Sequence, residues 1–124
     1  MANAEKGEAS LTVGDKTYTL RFGWNEIAEV EDLLDVAFFS DLSPKFANVL
    51  TVRAGEWRAV LWAALRGGGH KEIDLLAAGE LIGAAGMEAV SQAITDAISR
   101  TFPEASAAPK NPPKAGRSTG AKRS

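Results

Sequence analysis

The sequence predicts an α+β fold, mainly α: an N-terminal β-hairpin packed on a small bundle of four to five helices, followed by a disordered C-terminal tail. Three observations carry this. Residues 11–22 alternate apolar and polar side chains about a Gly-Asp pair. From residue 25 to residue 102 the apolar positions recur at helical spacing. Residues 104–124 then lack any large apolar side chain.

A chain of 124 residues, 45% hydrophobic and 24% charged, has the size and composition of one globular domain. The expected layout is a flexible arm over 1–8, a hairpin-plus-helices domain over 9–103 and the tail over 104–124. No cysteine is present, which excludes disulfides and cysteine-based zinc sites. No apolar run approaches the roughly 18 residues that a membrane span needs. The polar start MANAEKGEAS lacks the apolar stretch of a secretory signal, so the expected location is cytoplasmic. Charge is unevenly distributed. Residues 1–103 hold 9 Lys/Arg and 15 Asp/Glu, whereas 104–124 hold 5 and 1, so an acidic body carries a basic tail.

In the segment LTVGDKTYTLRF, alternation places Leu11, Val13, Tyr18, Leu20 and Phe22 on one face. Gly14-Asp15 is a glycine-first two-residue turn of the kind hairpins favour. A lone hairpin is marginal in water, so this face must pack on helices. The first helix is expected over 25–38, capped by Asn25, with Ile27, Val30, Leu34, Ala37 and Phe38 on its buried stripe. Glu29, Glu31, Asp32 and Asp35 fall on the opposite arc. They form a solvated face or a docking face for a basic partner, including the chain's own tail.

Ser43-Pro44 opens a short helix, since the missing N–H of Pro44 costs little at a first turn; Phe46, Val49 and Leu50 are its expected buried side. Residues 51–55 connect it to a helix over 56–66 with Trp57, Val60, Leu61, Ala64 and Leu65 on the core face. Arg58, Trp62 and Arg66 form a second stripe at i, i+4, i+8. Such a stripe either packs on a neighbouring element or presents an aromatic anchor between guanidinium groups for a protein partner. Gly67-Gly68-Gly69 ends the helix through the left-handed conformation open to glycine. Asp74 caps a helix over 75–85, Gly86 interrupts it, and Met87, Val90, Ile94 and Ile98 make a stripe reaching Phe102, with Met87 expected to fill a core gap. Pro103 stops that helix.

The tail contains Pro109, Pro112 and Pro113 among Ala, Ser, Gly, Lys and Arg, a composition that cannot offset its ordering entropy. Its basic residues, with Lys110, Lys114 and Arg117 as representatives, can meet nucleic acid, an acidic partner or the body itself. The absence of interleaved aromatics and the acidic body both weigh against nucleic acid.

A search for chemistry finds no catalytic, cofactor or metal site. The glycine run has neither a preceding strand nor a following Gly-Lys-Ser/Thr, so it is not a phosphate loop. His70, the one histidine, has no serine or cysteine partner placed by spacing. Composition and periodicity therefore leave a non-enzymatic interaction role by elimination.

The order of several strings adds to this. Gly7-Glu8, then LTVGDKTYTLRF, NEIAEVEDLL, VLWAALRGGGH and a helix pair ending in Thr101-Phe102 resembles the gene transfer agent family of phage tail assembly chaperones over about residues 7–102. The resemblance implies a protein that binds the tape-measure protein and assists tail tube subunits to polymerise around it. It implies action in the cytoplasm of a bacterial host, absence from the finished particle, and no catalytic residues. Chaperones of the wider class are often made in two lengths by ribosomal frameshifting, and Pro109-Lys110-Asn111 can be encoded by a slippery run. The competing readings are a nucleic-acid-associated accessory protein using the basic tail, and a minor structural tail component. Self-association through a hairpin edge or the Trp62 stripe is compatible with any of them.

Overall fold

The computed structural model describes residues 3–103. The expected disordered tail, with Lys110, Lys114 and Arg117, lies outside the described residues. The hairpin pairs β1 (Glu8–Val13) with β2 (Lys16–Arg21), antiparallel, with Ala9 opposite Leu20 and Leu11 opposite Tyr18. Gly14 takes φ +65° at the first turn position while Asp15 stays at negative φ, the glycine-first geometry read from the sequence. Ala9, Leu11, Leu20 and Phe22 are buried, with Tyr18 and Val13 at the margin. The first strand begins inside the stretch assigned to the arm, and a short 3₁₀ turn, Ala4–Lys6, precedes it.

Four α-helices follow: α1 (Trp24–Leu34), α2 (Ala54–Gly67), α3 (Leu75–Ala85) and α4 (Met87–Thr101). Between α1 and α2 the chain makes a π-helical turn, Phe38–Leu42, and two 3₁₀ turns, Ser43–Ala47 and Val49–Thr51. α2 is the central element, packing on α1, on α3 and on β2, while α4 covers β1. Val30, Val60, Leu61, Leu65, Val90 and Ile94 meet Leu20, Phe22 and Phe38 in one core.

Four sequence expectations need correction. The first helix ends at Leu34, because Asp35 turns left-handed at φ 55° and Glu31 sends its carboxylate to the Phe38 N–H at 2.8 Å. Phe38 is still buried, but from the π-helical turn, and Ala37 is exposed. Asn25 is not the cap of α1. Glu26 reaches back to the Gly23 N–H at 2.9 Å, and Glu56 does the same for the Arg53 N–H at 2.8 Å at the start of α2. A glutamate at the third helical position has the length to do this whatever residue occupies the cap.

Leu50 is 83% exposed rather than buried. The chain breaks at Asn48, whose extended backbone separates the two 3₁₀ turns, so helical spacing does not continue from Phe46 to Leu50. Met87 is exposed too, since it is the first residue of α4 and lies beyond the last turn that the core covers.

The glycine run ends α2 as expected, with Gly69 at φ +103° and the His70 N–H on the Leu65 carbonyl at 2.8 Å, and it serves a second purpose. Gly68, which closes α2, has φ −84°, and the positive φ belongs to Gly69. Gly67 and Gly68 let α2 approach the β2 backbone: a Cβ on Gly67 would collide with the Arg21 carbonyl oxygen, and one on Gly68 with that of Thr19. His70 completes the contact, its Nε2 accepting the Thr19 N–H at 3.1 Å and its ring meeting Tyr18 edge-on at 5.3 Å. As an acceptor at Nε2, His70 covers part of the free edge of β2.

Candidate interaction surface

The Arg58–Trp62–Arg66 stripe is divided by the structure. Each four-residue step along an α-helix rotates by about 40°, so the two arginines face different neighbours. Arg66 places its guanidinium 5.2 Å from the centroid of the Trp62 ring and its Nε 3.5 Å from Glu29 on α1. Arg58 is exposed and lies against Gly79 of α3. Trp62 is half-buried and packed on the core, with one part of the ring left for Arg66. The structure thus joins Trp62 to Arg66 and sets Arg58 apart on a second feature.

That second feature is a groove of about 530 Å³ between the start of α2, α3 and the start of α4. Trp57, Ile82 and Met87 supply its apolar lining, Gly79 and Gly55 its low walls, and Arg58 its polar rim. α3 forms one bank. Its sequence, LLAAGELIGAA, has a single charged residue, Glu80, yet Ala78 is its one buried side chain. Leu76 stands 70% exposed on the outside of α3. Asp74 fixes the start of α3 by accepting the Ala77 N–H at 2.8 Å. So α3 is anchored at its first turn, packed on α2, α4 and β1 along one side with Leu81, Ile82 and Ala85 against the core, and exposed along the other, where Leu76 stands with Glu80.

Beneath the groove the start of α2 is held by a charged contact. Lys45 Nζ donates to both Glu56 oxygens, at 3.1 and 2.9 Å, beside the Arg53 N–H bond already described. Burial opposes ionisation of Glu56, but the Arg53 backbone bond, the Lys45 hydrogen bond and the charges of Lys45 and Arg53 outweigh it, and the carboxyl sits below its ordinary range. Phe46 meets Trp57, which lines the groove, edge-on at 5.1 Å.

A second apolar feature escaped the helical periodicity, because Trp24 lies one residue before the expected helix. Trp24, Phe39 and Phe102 form a three-ring cluster, with centroids 5.1–6.2 Å apart. Trp24 is 71% exposed. A polar cleft near the chain start, lined by Lys6, Arg21, Arg100 and Thr101, is an internal tie instead: Arg21 donates to the Lys6 carbonyl and Arg100 to that of Glu8.

Among the described residues no group of three or more His, Asp and Glu is arranged to hold a metal ion, and no helix is long and apolar enough to cross a membrane. His70 is occupied by Thr19 and Tyr18, 3.9 Å from the Glu72 carboxylate. The surface therefore offers apolar and aromatic contact.

Comparison with known proteins agrees with a role among tail proteins. No curated protein and no solved structure matches the chain. Residues 6–104, from the turn before β1 to just past α4, match the family described as phage tail tube protein, GTA-gp10. That span holds the hairpin, all four helices and both apolar features, and on it the chain belongs to the phage tail tube protein family GTA-gp10, a family of phage and gene-transfer-agent tails.

Proposed function

We propose that this protein is a tail assembly chaperone: it binds helical segments of the tape-measure protein, keeps them soluble, and hands them to tail tube subunits as these polymerise. It acts without catalysis, in the cytoplasm of a bacterial host, and does not remain in the finished particle. The observation that carries this reading is Leu76, 70% exposed on the outer side of the apolar helix α3, beside the groove lined by Trp57, Ile82 and Met87. An exposed apolar helix flanking an apolar groove suits capture of an amphipathic helix, and a long helical protein waiting for its tube presents many such faces. Trp62, with Arg66 over its ring, adds an aromatic anchor on the same α2 helix.

The test is co-expression with the tape-measure protein of the same gene cluster, followed by capture at low and high salt. Apolar capture survives high salt, whereas phosphate or surface-charge contacts weaken steeply. Leu76→Asp and Trp62→Ala, each checked for native helix content, separate the two parts of the surface. Loss of one buried leucine contact lowers affinity about tenfold. Unchanged capture by both variants overturns the reading.

The family description favours a second reading, a structural component of the tail. It predicts that the chain is recovered in purified particles, where a chaperone is missing. Tubes are built from extended β-sheet, and a two-stranded hairpin is a small contribution to one.

A further inference from the structure

The Trp24–Phe39–Phe102 cluster is set where the C-terminal segment leaves the domain. Phe102 contributes one ring, and residue 104 follows two positions later. The cluster also continues into charge. Trp24, Ala28 and Glu31 fall within about 60° of one another around α1, Asp35 follows as its left-handed C-cap, and Asp32 lies on the neighbouring arc. Glu31 is used by the Phe38 N–H, and Glu29 by Arg66. Asp32 and Asp35 are exposed and belong to no ion pair among the described residues.

We infer that the chain's own segment 104–124 docks on this face, its basic residues opposite Asp32 and Asp35 and its early residues across the exposed Trp24 ring. Complementary charge supports this occupant: the segment carries 5 Lys/Arg and 1 Asp/Glu, against 9 and 15 in the rest of the chain. So does reach. Phe102 and Lys110 are eight residue steps apart, which span up to about 26 Å when extended, while the stripe from Trp24 to Asp35 is about 17 Å long. Docking there covers the Trp24 ring and neutralises Asp32 and Asp35. A stronger acidic partner for the segment would uncover both.

The test is acrylamide quenching of the full chain, with the Trp24 contribution isolated by difference against Trp24→Phe. Trp57 and Trp62 are more buried and remain in both samples. Covering one face of an exposed ring removes about half of its collision surface, so releasing it raises the Trp24 quenching constant about twofold. That rise is expected on reversing Lys110, Lys114 and Arg117 to Glu, and on adding salt to the unmodified chain. No difference among the three conditions overturns the inference. Protection that grows with protein concentration also overturns it, since the occupant is then another copy's segment.

Discussion

Gly68→Ala isolates the close approach of α2 to β2. The backbone at Gly68, φ −84° and ψ 0°, is open to alanine, so the substitution brings no conformational strain of its own. Its Cβ meets the Thr19 carbonyl oxygen and comes within 3.2 Å of the Leu20 nitrogen. These are backbone atoms of a paired strand, with Thr19 opposite Ser10 and its N–H on His70, so neither can swing aside. The end of α2 must move outward instead, away from fully buried Leu20 and carrying fully buried Leu65 with it. Forced displacement in a packed core costs about 1–3 kcal/mol. For a domain of this size each kcal/mol lowers the melting temperature by about 4–8 °C. Gly83→Ala is the control. Gly83 lies inside α3 with nothing within 4 Å of its Cβ direction, so alanine there raises stability by about 0.5–1 kcal/mol. Thermal melts by far-UV circular dichroism read both. Shifts of the same sign for the two variants would refute the argument, because only packing against β2 separates them.

Two further outcomes follow from single contacts. The Glu56 carboxyl is held below its ordinary range in the folded chain, so it stabilises above its unfolded-state value and that contribution is lost as pH falls through the folded value. Glu56→Gln should therefore flatten the acid limb of the stability–pH curve and cost about 1–2 kcal/mol near neutrality, reduced by the partial exposure of Lys45; an unchanged limb in urea melts would assign acid sensitivity elsewhere. His70→Ala removes the acceptor for the Thr19 N–H and should cost about 1 kcal/mol, with amide exchange at Thr19 rising more than at Leu20; equal exchange at the two amides would mean that water replaces the imidazole without loss.

The parts of the fold that were legible share one property: their signal is local. The hairpin follows from alternation and Gly14, the start of α3 from Asp74, and the buried faces of α2 and α4 from 3.6-residue spacing. The parts misread depend on partners distant in the chain or on side-chain reach. Glu26 and Glu56 cap from inside their helices, Glu31 ends α1 early by bonding the Phe38 N–H, and Asn48 breaks the phase that would have buried Leu50. The glycines after α2 announced a helix end, but their need for space comes from β2, some fifty residues earlier.

The interaction surface was harder to read for a physical reason. Helical periodicity separates an apolar face from a polar one, but it does not say whether the apolar face meets the domain's own core or another protein, because the same transfer of apolar surface from water drives both. LLAAGELIGAA therefore has the pattern of a buried helix, yet it gives the core Ala78, with Leu81, Ile82 and Ala85 partly buried against it, and leaves Leu76 on the outside. Leu76 at 70% exposure and Trp24 at 71% are the residues on which that ambiguity resolves. Neither belongs to a core-facing stripe, and neither is needed to close the domain. Substituting them should leave stability within about 0.5 kcal/mol, the usual range for surface positions. On the proposed function, a side chain whose removal spares the fold but weakens capture of the partner is one that meets the partner's surface.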